Sequence, residues 1–145
     1  MDYTKHHYEE TLKLLIVISS ESNVQLEAHG IGNAEEEMAI DLAFHFTDHK
    51  ESLVNEGYFS VDEANAIEEI NTFFESRNNE LHESFWYELE SHSDWAELRQ
   101  LAKNILTKMG KDNLAIQVDV KNETSWFSKN VTSQQITVTL VDKNT

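Results

Sequence analysis

Seven histidines and 27 carboxylates are the residues with most chemical potential in a chain of 145 residues that contains no cysteine. Asp41, His45 and His49 stand at i, i+4 and i+8, so on one continuous helix they would project from a single face. Two imidazoles at that spacing are a zinc-binding arrangement, but the His-Glu-x-x-His pattern that supplies a metalloprotease base is missing. The same stripe is also an ordinary solvated face of an acidic helix. His6 and His7 read as an exposed pair near the terminus. Neighbouring carboxylates such as Glu9–Glu10 and Glu68–Glu69 do not face one another on a helix. They therefore make no acid–base couple of the kind that needs two differently tuned carboxyl groups. With no thiol, no glycine-rich phosphate loop and no Gly-x-Ser-x-Gly elbow, the sequence assigns no catalytic residue and no cofactor. A small metal-dependent enzyme using Asp41, His45 and His49 stands as the alternative.

The charge is more informative than any motif. Lysine and arginine total 11 against the 27 acids, a formal charge of −16. Residues 35–97 hold 18 of the acids and only two bases, Lys50 and Arg77, so this stretch carries the whole net charge. Such a surface repels nucleic acid and anionic membranes, both of which require Lys and Arg for binding. It attracts a basic protein and speeds encounter with it. The bland alternative is an acidic regulatory adaptor whose charge serves solubility alone. Met1 to Lys5 lack the layout of a signal peptide, and no apolar run approaches a membrane span. The expectation is a cytoplasmic protein, a monomer or weak oligomer.

Hydrophobic residues at 39% and aromatics at 10% are too many for a disordered tail, and the length predicts one domain over 1–145. Tyr8, Leu12 and Leu15 mark a helix over 4–20, although Ile16-Val17-Ile18 would also suit a buried strand. Val24, Leu26 and Ala28 alternate with polar residues, which predicts a short strand near 24–28. Asn33 is a helix cap, and Met38, Leu42, Phe46, Leu53 and Val54 extend one helix from about Ala34 to Asn55. Ser60 and Glu63 form a capping box for a helix with Ala64, Ile67, Ile70 and Phe74 on its inner face. A short helix or a folded connection follows at 80–90. Trp95, Leu98, Ala102 and Ile105 then mark a helix from Ser93 to Gly110, with Ser93 as its cap.

After Gly110 the apolar period falls to two. Leu114, Ile116, Val118 and Val120, then Ile136, Val138 and Leu140, predict an antiparallel hairpin with a polar loop from Lys121 to Gln134. The fold class is α+β: four to five helices, then a C-terminal hairpin joined by the strand near 24–28. Trp126 and Phe127 are large apolar residues for a loop and fit an interface anchor.

The segments Ile16-Val17-Ile18-Ser19-Ser20-Glu21-Ser22, Ala39-Ile40-Asp41-Leu42-Ala43-Phe44-His45-Phe46 and Gly57-Tyr58-Phe59-Ser60 give the chain a family likeness. In this compact, cysteine-free layout it resembles the small acidic immunity proteins of bacterial toxin–immunity pairs, including those of contact-dependent growth inhibition. The resemblance implies a non-enzymatic inhibitor that binds one cognate toxin, often a nuclease, and supplies no site residues. The residues expected to meet a basic toxin are Glu63, Glu68, Glu69 and Glu75, with Trp126, Phe127, Thr137 and Thr139 along a β-edge.

Overall fold

The computed structural model describes residues 2–30, 32–124 and 131–143, and the side chains of these except at 123, 124 and 131–133. Its order is α1 (Tyr3–Ser19), α2 (Ser22–His29), α3 (Ala34–His45), a 3-10 turn at Thr47–His49 and α4 (Lys50–Asn55). Then come α5 (Val61–Ser76), a 3-10 segment at Glu80–Trp86, α6 (Ser93–Lys108), β1 (Leu114–Thr124) and β2 (Val131–Asp142). The architecture is α+β, with six α-helices before a two-stranded antiparallel sheet.

Helix α1 is the centre of the molecule, packing on α6, α3, α4, α2 and the hairpin. That position explains Ile16-Val17-Ile18. A helix apolar around its circumference is a buried helix, and every residue from Leu14 to Ile18 is buried. Around it lie Met38, Leu42 and Phe46, then Leu53, Ile67, Ile70, Trp95 and Leu98, all fully covered.

Three expectations are corrected. The segment 24–28 is the body of helix α2, not a strand, and the sheet is formed by β1 and β2 alone. Its alternation misled because the polar Gln25 is the fully buried residue while Leu26 is exposed. Gln25 donates from Nε2 to the Ile18 carbonyl at 3.1 Å and accepts from Arg99 at 3.1 Å, so its burial is hydrogen-bonded and tolerable. Second, the helix expected over Ala34–Asn55 breaks after His45. The intervening turn re-aims the chain so that Phe46 and Leu53 are both buried, Phe46 lying 6.1 Å from Phe59. Third, the strands run into the region expected to be loop. Lys121 pairs with Gln135, Asn122 with Gln134 and Glu123 with Ser133 before an irregularity at Glu123/Thr124.

The remaining elements follow their local chemistry. Asn33 caps α3, accepting from the Glu36 amide at 2.7 Å. The Ser60–Glu63 capping box is complete, with bonds of 3.1 and 2.8 Å. The cap of α6 is His92, one residue before Ser93, its Nδ1 accepting from the Asp94 amide. In the hairpin Ile116 faces Leu140 and Val118 faces Val138, as the alternation requires. Among the described residues no helix is long and apolar enough to cross a membrane.

Candidate functional site

Helix α3 presents two stripes. Ala34, Met38 and Leu42 enter the core. Glu36, Ala39, Ile40 and Ala43, at i, i+3, i+4 and i+7, line the near wall of a groove of about 350 Å³. Asn71, Phe74 and Glu75 from α5, with Asn78 just beyond its end and Trp86, form the far wall. The two alanines leave the space that larger side chains would fill, and Ile40 stays 63% exposed within it. Phe74 and Trp86 stack at 6.1 Å with an interplanar angle of 27°. Trp86 is fixed at both ends: its indole N–H donates to the Arg77 carbonyl at 2.8 Å, and its own carbonyl accepts from Asn33 at 2.9 Å.

The polar side of the groove is acidic and organised. Asn71 is buried, and its Nδ2 donates to Glu68 at 3.3 Å and to Glu75 at 3.2 Å. One amide thus holds two carboxylates close together, and Glu68 Oε2 is buried without a hydrogen-bond partner. Among the described residues neither of these acids nor Glu36 makes an ion pair. The nearest base in sequence, Arg77, bonds Asp94 at 3.1 Å and lies 3.5 Å over the Phe73 ring.

Of the residues singled out by sequence, Glu75 lines this groove and Glu68 is tied to it through Asn71. Glu69 is exposed, but one residue turns a helix by about 100°, so it lies off that stripe. The Glu63 carboxylate is used in the cap of α5. Thr137 and Thr139 are exposed, opposite Asp119 and Gln117. Trp126 and Phe127 lie outside the described residues. Sequence reasoning missed Glu36, Ala39, Ile40 and Ala43. Their signal was a second apolar stripe on a helix whose core stripe was already accounted for.

The Asp41–His45–His49 stripe does not survive folding as one face. The break after His45 carries His49 away, and its Nδ1 lies 3.0 Å from the Phe44 carbonyl. Asp41 turns to His29, at 3.6 Å. His45 instead meets His7, Nδ1 to Nδ1 at 3.0 Å, and His49 stacks on His7 with centroids 3.6 Å apart. His7 is therefore buried, not exposed as expected, while His6 remains at the surface 5.9 Å from His45. Burial first, then the neighbouring imidazoles, pushes the His7 pKa down; burial also lowers that of His45, against the opposing pull of Glu10 and Asp41. Among the described residues no group of three or more histidine, aspartate or glutamate side chains is arranged to hold a metal ion.

Comparison of the chain with protein-family models, with curated proteins and with solved structures finds no match. The functional reading therefore rests on the geometry and charge of this groove and its surroundings.

Proposed function

We propose that this chain is a binding protein that captures a basic protein through the acidic region 35–97, in the manner of a cytoplasmic immunity protein holding a nuclease-type toxin. The observation that carries the reading is the pairing of charge and shape. All the net charge lies between residues 35 and 97, and that same region forms an apolar groove bordered by carboxylates without basic partners. Scattered acidity for solubility needs no groove. Steering comes from the field as a whole, and lasting contact comes from desolvated anchors at its centre. The sheet gives a second contact region. Among the described residues each strand has one edge without a strand partner, and β2 exposes Thr137 and Thr139 beside it, an arrangement suited to β-augmentation.

The test is whether a protein with a basic C-terminal domain is encoded beside this chain and whether that domain, once purified, binds it. A complex whose association slows as salt rises, with dissociation much less affected, is the expected result. Glu68→Lys combined with Glu69→Lys should slow association further at low salt. The absence of a complex with such a domain would overturn the immunity reading. An on-rate indifferent to salt and to both reversals would overturn the role given to the acidic region.

A further inference from the structure

We infer that the α3–α5 groove is an arginine pocket: it takes one arginine side chain of the partner, guanidinium against the Trp86 ring and toward Glu36 and Glu75, stem along Ala39, Ile40 and Ala43. The inference rests on the reading that the partner is basic, and adds which basic group is recognised and where.

Three observations converge on this occupant. The volume, about 350 Å³, lies at the small end of ligand pockets, so it suits a single long side chain better than a whole helix. Its lining is mainly apolar, with two carboxylates, Glu36 and Glu75, which matches a side chain that buries a hydrocarbon stem while presenting a cation. A purely apolar occupant would strip water from Glu36 and Glu75 and return no compensating bond. An anionic one would be repelled. The shared amide of Asn71 keeps Glu68 and Glu75 near one another, and a cation placed beside them relieves that repulsion.

The choice of arginine over lysine follows from shape. Trp86, half-buried and backed by the buried Phe74 ring, offers a flat aromatic surface. A planar guanidinium stacks on such a surface and still bonds a carboxylate in its own plane, whereas an ammonium is a compact, strongly hydrated point charge. The chain already uses this arrangement beside the groove, where Arg77 lies over Phe73 and bonds Asp94. The groove repeats its aromatic wall and its carboxylates without the arginine.

The probe is N-acetyl-arginine amide, titrated into the 145-residue chain labelled for amide and indole NMR, beside the lysine and norleucine amides. The arginine amide should shift the Trp86 indole and the amides of residues 39–43 and 71–78 saturably. Lysine should bind about fivefold or more weakly, and norleucine should leave the groove unmoved. Ala43→Leu fills the space and should abolish the response. Glu75→Gln keeps the shape and the bond to Asn71, and should weaken arginine about tenfold, the range of a lost charge-assisted bond. Equal response to lysine, shifts away from the groove, or unchanged binding in both variants would overturn the inference. The two readings separate cleanly. If the basic domain binds wild type and Ala43→Leu alike while arginine amide ignores the groove, the pocket is wrong and the proposed function stands. Arginine-selective binding without any basic protein partner would leave the pocket and remove the function.

Discussion

His7 shows how much a single residue's meaning depends on its neighbours. It shares a short contact with His45 and a stacked one with His49, and the folded structure favours its neutral form. The folded pKa values of His7 and His45 lie below the ordinary 6.5, so as pH falls through 6.5 the unfolded chain takes up protons first. Their contribution to stability is complete above that value and is lost as pH drops toward their folded values. His29 runs the other way. Burial alone would lower its pKa, but the hydrogen bond and charge of Asp41, with the Gln25 carbonyl, raise it overall. Its contribution is complete below 6.5 and is lost as pH rises through the folded value. The thermal midpoint should therefore fall as pH drops below 6.5. Replacing His7 by Phe and His45 by Leu together should flatten that fall, while His29→Ala should leave it and remove the loss on the alkaline side. Melting curves across pH decide this, and a wild-type midpoint constant over the acidic interval would contradict it. At Asn71 the expectation is simpler. Asn71→Ala leaves Glu68 and Glu75 without their shared donor, and should lower stability by about 1–3 kcal/mol in urea unfolding.

At the scale of elements, ends and junctions are the sensitive points. Ser60→Ala removes the hydroxyl that accepts the Glu63 amide and should cost about 1 kcal/mol, read as a lower urea midpoint with an unchanged slope. Gly30 closes α2 with φ of 64°, and a Cβ there would collide with the side chains of Ile136 and Gln134. Gly57 also has positive φ, at 82°, but has open space around it. Both substitutions to Ala carry left-handed strain, and only Gly30→Ala adds a clash between α2 and the hairpin. Gly30→Ala should be the more destabilising, and a hydrogen-exchange map should show the extra loss in β2. Equal effects at the two glycines would mean that the hairpin is not seated on α2.

For the whole molecule, the decisive quantity is charge without internal compensation. Five ion pairs, two of them involving histidine, are described, far too few to neutralise a region holding 18 acids and two bases. That region repels itself in the folded state. Raising salt from about 10 mM to about 150 mM shortens the screening length from about 30 Å to about 8 Å and should raise the melting midpoint. Glu68→Lys with Glu69→Lys should reduce this salt response while slowing partner association. A stability that is independent of salt would show the repulsion to be negligible. Binding and stability thus pull against one another here, because the field that steers a basic partner is the one the fold must withstand.

The local features legible without coordinates were those fixed by short-range physics. The α6 stripe from Trp95 to Ile105 and the Ser60–Glu63 box depend on residues within a few positions of one another, and so does the period-two alternation of the hairpin. The confinement of the net charge to residues 35–97 needed no structure at all. The choice between Ile16–Ile18 as helix or strand was not local: it was decided by the C-terminal half of α1, Leu14 to Ile18, being enclosed by the elements around it. Helix α2 was settled by Gln25 finding Ile18 and Arg99, a partner 74 positions away. The histidines were separate pairs in sequence, and only the packing of α1 on α3, with the break after His45, brings them together. The groove is of the same kind. Ala39, Ile40 and Ala43 are visible as apolar residues off the core stripe, but whether α5 and Trp86 cover them or leave a cleft depends on side-chain volumes meeting across elements. Periodicity along one element carries no information about that fit.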